Sequence, residues 1–569
     1  MQAKWPGPSC ARKGYYPAPG PGGFDASSGH VARLHTAQAT RRMSNRMMVL
    51  ILAWVALGVT AAPVPGPNPF EGSADLTPAN RIDELVFGRL QQLGLEPARL
   101  CSDPVFVRRA YLDVIGTLPT AFEAEQFILD RSPDKRRKLI DRLLARDEFA
   151  DYWAMKWSDL LRVKAEFPIN LWPNAVQAYH RWIRTSLRQN KPYTQFAREL
   201  LTSSGSNFRV GPVNFYRAVQ SKTPTGLARA VALTFMGVRL EHWPPDQVAA
   251  MAEFFSQVGF KSTGEWKEEI VFFDPSSTNA RPVSGPTRTG VLPDGQQVQW
   301  PVDKDPREVF ADWLIRPENP WFTRNIANRV WAWLLGRGII HEPDDIRPDN
   351  PPSNPELLKV LEQELIRANY DLKHLYRLIL NSKTYQLSCV PRSRGSAAEA
   401  NFAFYPLRRL EAEVLIDALN QITGTTEKYS SPIPEPFTFI PEDHRAIALA
   451  DGSITSPFLE MFGRPPRDTG LESERSNRPS VAQRLHLLNS SHILRKLEQS
   501  RMIRLLTQQN KTPADMVRGI YLGILSRYPT KAELDAVLAY AQSSPAKGRE
   551  VAVDLAWALI NSVEFLYRH

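Results

Sequence analysis

The stretch "VRRAYLDVIGTLPTAFE" (residues 107–123) sets the helical character of this chain. It predicts one helix that ends at Gly116, a turn, and a second helix that begins with a capping box of Thr120 and Glu123. The stretch "VRGIYLGILSRYPTKAE" (517–533) aligns with it without gaps at a constant offset of 410. We therefore predict two copies of one helix–loop–helix unit that pack together. The alternative is a pair of unrelated helices that share only their capping residues.

The segments outside these two units also favour helices. "LTPANRIDELVFGRLQQLG" (76–94) has Thr77 as a candidate N-cap, Pro78 at the first helical position and Gly94 as a terminator. Residues 268–303 depart from this pattern, because "EEIVFFDP" is typical of a strand and "LPDGQQVQWP" contains an Asp-Gly turn. The chain is predicted to be mainly α and multi-lobed, with a small inserted β-ribbon.

A chain of 569 residues is too long for one hydrophobic core, so several domains are expected. Changes in composition predict a disordered extension and signal peptide over 1–62, an N-terminal helical domain over 63–260, a β-ribbon insert over 261–305, a central helical domain over 306–390 and a C-terminal helical domain over 391–569. Within the last domain, residues 430–480 are rich in proline and charge, which favours a long loop packed over the helices.

The positive charge is concentrated at the N-terminus. The net charge is +10, and residues 1–62 hold +6 of it, which leaves +4 for more than 500 residues. Beyond residue 62 no run of Lys and Arg with interleaved aromatic residues occurs. Because a phosphate-binding surface needs such a concentration of cations, no nucleic-acid partner is expected.

The segment "RRMSNRMMVLILAWVALGVTAAPVPGPNP" (41–69) is typical of a secretory signal peptide. Arginines precede an uncharged run from Met47 to Ala62, and small residues end that run. The alternative is a membrane anchor, but the run falls short of the roughly 20 apolar residues that a spanning helix needs. We expect cleavage near Ala61 and a periplasmic or extracellular mature chain, with the signal segment as its only membrane contact.

Cysteine usage excludes several classes of cofactor. Cys101 and Cys389 remain after such a cleavage, and they either form one disulfide or stay free. No Cys-x-x-Cys occurs, so no thiolate zinc site, iron–sulfur cluster or covalently attached haem is expected. Gly-x-Ser-x-Gly, a P-loop and a dinucleotide fingerprint are also absent from the sequence.

Several long stretches carry a family resemblance. "FVRRAYLDVIGTLPTAFEAEQFILDRSPDKRRKLIDRLLARDEFADYWAMKWSDLLRV" (106–163) resembles the planctomycete cytochrome-associated domain, the domain of unknown function fifteen-forty-nine. "NPWFTRNIANRVWAWLLGRGIIHEPDDIRPDN" (319–350), "LRRLEAEVLIDAL" (407–419) and "ERSNRPSVAQRLHLLN" (474–489) resemble its usual companion, the domain of unknown function fifteen-fifty-three. The resemblance covers most of residues 80–569. It implies an exported bacterial protein of a family often found beside c-type cytochrome domains.

This chain departs from the family pattern at two places. Many relatives carry Cys-x-x-Cys-His after a Gly-Val-x-Leu helix end, whereas "GVRLEHWPPDQVAAMAEFF" (237–255) runs almost directly into His242. Where relatives tend to have Cys-Glu-Cys-Glu-Arg, this chain has Leu471 and Ser473 in the cysteine positions. The resemblance therefore implies a variant without covalent haem. A lone histidine such as His242 is more often a hydrogen-bonded loop residue than a ligand, since a metal site needs several ligands.

The segment "HEPDDIRPDNPPSNPEL" (341–357) concentrates polar side chains and is the first candidate for chemistry. Asp344, Asp345 and Asp349 could bind a divalent cation through their oxygens or supply an acid/base pair for glycosides. Arg347 is a further ligand-binding candidate that could instead pair with one of these aspartates. The alternative for the whole segment is structural, because Asp and Asn before Pro are standard turn residues.

Two further segments supply candidate residues. "NIANRVWAWLLG" (325–336) places Asn325, Asn328 and Arg329 among apolar residues, where they could bind a ligand or brace the Asp-rich segment. "RDTGLESERSNRPS" (467–480) contains Asp468, Glu472, Glu474 and Arg475, which could close a polar pocket with the Asp-rich segment.

Tryptophans are the remaining candidates. Trp172, Trp243 and Trp300 are predicted to lie in loops, where an indole ring could stack on a ligand.

Three functions fit these observations. The first is an exported cell-envelope protein of unknown activity that acts as a non-haem binding or assembly component, with envelope proteins or polysaccharide as partners. The second is a hydrolase or accessory enzyme for an extracellular polysaccharide that uses Asp344, Asp345 and Glu474. The third is an electron-transfer accessory protein. Convergence of these side chains with Arg329 and Arg475 on one concave pocket would favour an enzyme or ligand-binding protein.

Overall fold

The structure is a computed structural model that describes residues 68–508 and 512–569. Residues Pro69–His569 form one compact unit. The predicted extension and signal peptide (1–62) lie outside the described residues. Within the described ranges, no helix combines the length and the apolar composition that a membrane span requires.

Helices build most of this unit, as predicted. In the first half of the chain they are α1 (Arg81–Gln92), α2 (Asp103–Ile115), α3 (Ala121–Leu129), α4 (Lys135–Ala145), α5 (Asp147–Leu160), α6 (Pro173–Arg188), α7 (Tyr193–Thr202), α8 (Asn214–Arg217), α9 (Pro224–Val231) and α10 (Pro245–Glu253). In the second half they are α11 (Pro306–Leu314), α12 (Phe322–Leu335), α13 (Pro355–Arg367), α14 (Leu372–Leu380), α15 (Ser396–Ala400), α16 (Ala412–Thr423), α17 (Pro457–Met461), α18 (Val481–Asn489), α19 (Ser491–Glu498), α20 (Arg501–Gln508), α21 (Pro513–Leu525), α22 (Lys531–Ser543), α23 (Arg549–Ile560) and α24 (Val563–Leu566).

The strands form small antiparallel sheets. They are β1 (Gly205–Ser206), β2 (Val258–Ser262), β3 (Glu269–Phe273), β4 (Thr287–Val291), β5 (Gln297–Pro301), β6 (Arg408–Arg409) and β7 (Tyr567–Arg568). β3 lies between β1 and β2, whereas β4 pairs with β5 and β6 with β7. The β-ribbon predicted between the helical parts therefore exists, and β1 joins it from the N-terminal part.

The two copies of the helix–loop–helix unit exist and pack together. α2 and α21 both end in a left-handed residue, Gly116 with φ +62° and Ser526 with φ +59°. α3 and α22 both begin with a complete capping box. Arg108 of the first copy donates a hydrogen bond of 2.8 Å to the carbonyl of Ile524 in the second copy. The repeat is thus a structural relationship and not a coincidence of capping residues.

The start of α1 differs from the prediction. The side chain of Asn80, not Thr77, accepts the backbone N–H groups of Ile82 and Asp83 and caps the helix. Thr77 instead donates its hydroxyl to Asp75, 2.8 Å away. Asn is as good an N-cap as Thr, and tertiary contact decided between them, because Asn80 Nδ2 also donates to the carbonyl of Leu378.

Residues 430–480 contain little regular structure beyond α17 and two 3₁₀ turns, at Ala446–Ala448 and Glu472–Glu474. This long segment packs on α16 through buried side chains such as Ile447 and Phe458. It also carries Arg464, Arg467 and Arg475 into the interior, where they meet carboxylates from other segments. The segment is therefore fixed by ion pairs as well as by apolar burial.

Candidate functional site

The Asp-rich segment (341–357) connects α12 to α13 and forms parts of two cavities. Its first residues, His341 to Pro343, line a charged pocket of about 420 Å³. Its next residues, from Asp345 to Pro352, line an aromatic cleft of about 670 Å³. Asp344 lies between these two groups in sequence and is buried.

Asp344 forms an ion pair with Arg329 of α12. The Arg329 Nη2 atom lies 2.7 Å from Asp344 Oδ1, and the two side chains are only 1% and 2% exposed. Asp344 Oδ2 accepts the backbone N–H of Glu472 at 2.6 Å. This carboxylate therefore ties the segment 467–480 to α12, and neither Asp344 nor Arg329 reaches a cavity surface.

The two asparagines of α12 hydrogen-bond to the backbone of two different segments. Asn328 both donates to the carbonyl of Ile340 and accepts its N–H, each at 2.9 Å. Asn325 donates to the carbonyl of Thr234 at 2.9 Å. Both asparagines are fully buried: Asn328 holds Ile340, the residue directly before the Asp-rich segment, whereas Asn325 holds Thr234 in the N-terminal part.

The exposed part of the Asp-rich segment carries a small charge cluster. Arg347 Nε lies 3.2 Å from Asp345 Oδ2, and its Nη1 lies 3.4 Å from Asp349. His242 Nδ1 lies 3.8 Å from Asp345 Oδ1. His242 thus faces the Asp-rich segment across the aromatic cleft.

The aromatic cleft combines two indole rings with these charges. The ring centroids of Trp243 and Trp321 are 6.0 Å apart and tilted by 48°. Trp321 also contacts Trp313, which belongs to the buried aromatic cluster behind the cleft. Trp243 is half-buried and follows His242 directly. The remaining lining includes Arg239, Gln247, Arg324 and Asn350, together with several prolines.

The charged pocket lies where the N-terminal and C-terminal parts of the chain meet. Lys156 of α5 reaches it from the N-terminal part. The rest of the lining comes from beyond α11: Ala332, Trp333, Gly336, Arg337, Gly338, His341, Glu342, Pro343, Arg408, Glu411, Glu472, Ser473, Arg475, Asn477 and Arg478. Residues of the segments 341–357 and 467–480 therefore line one polar pocket: Glu472 and Arg475 belong to its wall, whereas Asp344, Asp345, Asp468 and Glu474 do not.

Arg475 anchors this wall through two buried carboxylates. Its guanidinium donates to Glu413 at 2.7 and 3.0 Å and to Asp159 of α5 at 2.7 Å. Burial raises the pKa of Glu413, but Arg475 and Arg464 outweigh that effect and bring it down to about 2. Arg475 is therefore occupied by structural ion pairs on the side away from the pocket.

Glu474 stabilises a backbone turn. Its Oε1 accepts the backbone N–H groups of Asp468 and Thr469, at 2.9 and 3.2 Å. Burial raises the pKa of Glu474 above its ordinary value. The three carboxylates proposed for catalysis thus have separate environments: Asp344 in an ion pair, Asp345 in the aromatic cleft and Glu474 in a turn.

Several pocket residues were not singled out from the sequence. Lys156 Nζ lies 2.7 Å from Glu411 Oε1 in a buried ion pair. Trp333 Nε1 donates to both oxygens of Glu472, at 3.1 and 3.2 Å. The available signal was a lysine within the apolar run "YWAMKWSDLL" (152–161), because a charge at such a position must have a partner.

The three loop tryptophans do not share one environment. Trp243 lines the aromatic cleft, whereas Trp172 packs against Phe437 with ring centroids 5.4 Å apart. The prediction for Trp300 is wrong, because it lies in β5 and is buried against Phe254. Its strand pairs with β4, and this pairing turns the indole inward.

The cysteines and potential metal ligands can be described directly. Cys101 and Cys389 are both free thiols, and Cys101 is fully buried. In the part of the chain that the structure describes, no group of three or more His, Cys, Asp or Glu side chains is placed to hold a metal ion.

Two family models match this chain, one before and one after the β-ribbon insert. The family model PSCyt2, a protein of unknown function (DUF1549), matches residues 81–254. The model PSD1, a protein of unknown function (DUF1553), matches residues 306–541. No curated protein and no solved structure matches the chain significantly. The chain therefore belongs to the planctomycete cytochrome-associated family, with a PSCyt2 domain followed by a PSD1 domain.

Proposed function

We propose that this protein is exported and binds a saccharide unit of an extracellular polysaccharide in the aromatic cleft, as a binding component without covalent haem. One observation carries the proposal: Trp243 and Trp321 stand 6.0 Å apart beside the charges of Asp345, Arg347 and Arg324. Ligand sites in proteins combine apolar and aromatic walls with a few oriented polar groups.

The chemistry of a sugar ring fits this combination. One face of a pyranose ring is lined by C–H groups and packs on an indole, while its hydroxyl groups need donors and acceptors at the ring edge. Trp243 supplies the half-buried aromatic surface. Asp345 supplies acceptor oxygens, and Arg347, which is 3.2 Å from it, supplies planar N–H donors. The ligand class follows from these groups together.

The placement of the carboxylates favours binding over hydrolysis. Most glycosidases use two carboxyl groups that face each other across the scissile bond. Asp344 is neutralised by Arg329 at 2.7 Å and is 2% exposed. Glu474 accepts two backbone N–H groups in a separate turn. Of the three proposed catalytic residues, Asp345 is the one that lines the cleft, so an acid/base pair is not assembled from them.

Export is supported by the segment 41–69, which has the order of charge, apolar run and small residues of a signal peptide. Expression of the full chain with its own N-terminus in a secreting bacterial host tests it. We expect intact-mass analysis of the exported fraction to give a mature chain that begins near Ala61. A full-length chain retained in the cytoplasm would contradict export.

Affinity electrophoresis tests the saccharide site. The purified mature chain is run through native gels that contain laminarin, xylan or dextran, and retardation is compared between variants. Trp243→Ala removes the stacking surface and should weaken binding about tenfold, which corresponds to about 1.4 kcal/mol. Trp266→Ala is the matched control, because Trp266 is an exposed tryptophan on the loop between β2 and β3.

Circular dichroism should show that both variants are folded. Retardation of wild type and Trp266→Ala, with loss in Trp243→Ala, supports the proposal. Equal retardation of all three proteins would move the binding site elsewhere. No retardation of the wild type in any gel would contradict saccharide binding of these types.

A further inference from the structure

We propose that the charged pocket is a second, independent site that binds an oxyanion of the sulfate or phosphate type. The pocket has a volume of about 420 Å³, and its lining brings Lys156, Arg337 and Arg478 to one space. Some charges of this wall already have partners in the structure, and others remain available to a ligand. Among the described residues, the charged pocket and the aromatic cleft have no lining residue in common.

Lys156 is the central group. Its side chain is 8% exposed, and its ammonium group has three N–H donors. Within the described residues it makes one hydrogen bond, of 2.7 Å to Glu411 Oε1. The other donors of this ammonium group have no protein acceptor in the described part of the chain. A buried charge with free donors is costly, so an acceptor inside the pocket would be stabilising.

Each carboxylate of the pocket wall has an arginine partner outside the pocket lining. Glu411 Oε2 lies 2.6 Å from Arg568, which does not line the pocket. Glu472 lies 3.5 Å from Arg329, and Glu342 lies 3.4 Å from Arg239. These arginines offset part of the acidic charge of the wall, with Arg329 shared between Glu472 and Asp344, so an incoming anion meets less repulsion than the residue names suggest.

Two of the pocket cations are likewise occupied. Arg475 is held by Asp159 and Glu413. Arg408 pairs with Asp113 at 3.2 Å and donates to the carbonyls of Trp333 and Leu334. These guanidinium groups therefore shape the wall, and they leave Lys156 and the two outer arginines as the groups that can receive a ligand.

Arg337 and Arg478 complete the site at its mouth. Over residues 68–508 and 512–569, neither guanidinium has a carboxylate within ion-pair distance. Arg337 follows the end of α12 and Arg478 precedes α18, so two separate elements position them. With Lys156, whose carboxylate partner is Glu411, they place three cations around one cavity. A guanidinium group donates two parallel hydrogen bonds to an oxyanion, which suits a tetrahedral dianion.

Thermal denaturation measures such binding, because a ligand that binds only the folded state raises the unfolding midpoint. The mature chain is heated with inorganic sulfate, inorganic phosphate, glucose 6-sulfate or glucose 6-phosphate at low millimolar concentration. Each sample is compared with sodium chloride at equal ionic strength. A rise with the free ions indicates a site for the inorganic anion. A rise with the sugar esters alone indicates a site for an ester group on a larger ligand.

The variant that tests the site is Arg337→Gln with Arg478→Gln, since both side chains lie outside the buried ion pairs and their loss should not impair folding. The control is Arg131→Gln, an exposed arginine outside the pocket lining. We expect the midpoint to rise in the wild type and in the control, and the rise to disappear in the double variant. General stabilisation by sulfate affects all three proteins alike and is thereby removed.

Two results would overturn the proposal. One is the absence of a midpoint shift with all four compounds in the wild type. The other is an equal shift in the double variant. Titration calorimetry with inorganic sulfate and phosphate on the same proteins gives an independent measurement, in which the double variant should lose at least tenfold in affinity.

Discussion

Lys156 and Glu411 form an ion pair of 2.7 Å that joins the two family domains, and the two side chains are 8% and 4% exposed. Arg568 contacts the other oxygen of Glu411 at 2.6 Å. The interface between the domains is thus built on buried charges as well as apolar side chains. Buried charges are tolerated only where partners compensate for the lost hydration, so these contacts constrain the relative position of the domains.

Loss of one partner in the network of buried ion pairs around Arg475 should destabilise the fold strongly. Glu413→Ala removes the bidentate partner of Arg475 and an ion-pair partner of Arg464. We expect the free energy of unfolding to fall by about 3–5 kcal/mol, because buried cations are left without full compensation. Glu84→Ala is the control, since Glu84 pairs with Arg81 on the surface and such pairs contribute about 0–1 kcal/mol. Urea denaturation measures both variants, and similar values for the two would contradict a stabilising role of the network.

Glu413 should also make stability sensitive to acid. Its pKa is about 2 in the folded protein, against an ordinary value of 4.5. In the unfolded chain the carboxyl takes up a proton at higher pH than in the folded protein. The stabilisation is therefore complete above pH 4.5 and is lost as the pH falls toward 2. Urea denaturation at several pH values in this window should show a smaller decrease for Glu413→Gln than for the wild type. An identical pH dependence in the two proteins would exclude Glu413 as a source of it.

The two helix ends of the repeat should respond in opposite directions to exchange of their residues. Ser526→Gly should stabilise by about 1 kcal/mol, because a left-handed backbone costs a non-glycine residue about 1–2 kcal/mol. Gly116→Ser should destabilise, since it adds the same backbone cost and its Cβ would collide with the ring of Tyr152. Urea denaturation checks both. A destabilising Ser526→Gly substitution would show that the serine side chain compensates for its backbone.

The cysteines should titrate as two thiols. Cys101 is buried, and burial raises the pKa of the Cys389 thiol above its ordinary value. Since the thiolate is the reactive form, we expect slow reaction of Cys389 with an aromatic disulfide reagent in the native protein, and two thiols per mature chain after denaturation. The thiols are counted in samples kept without reductant, because a reductant would cleave any disulfide that is present. A count of zero in the denatured protein would demonstrate a disulfide.

The regular elements and the repeat could be predicted from the sequence, because they depend on local interactions. Capping boxes and helix terminators act over a few residues, so the turn after Gly116 and its counterpart at Ser526 could be predicted. Contacts between distant segments, in contrast, cannot be predicted from such local patterns. The sequence predicted Thr77 as the N-cap of α1, whereas Asn80 caps this helix and also contacts Leu378, a residue almost 300 positions away.

The tertiary structure alone decided which polar residues are structural and which line cavities. Asp344 and Asp345 are neighbours in sequence, yet one is buried against Arg329 and the other faces His242. Lys156 lies more than 250 residues from Glu411, and its proximity to this partner could not be predicted from spacing. Ionic contacts between distant segments depend on how the helices pack. The two cavities were therefore outside the reach of sequence analysis, although most of their residues lie in segments that the sequence had indicated.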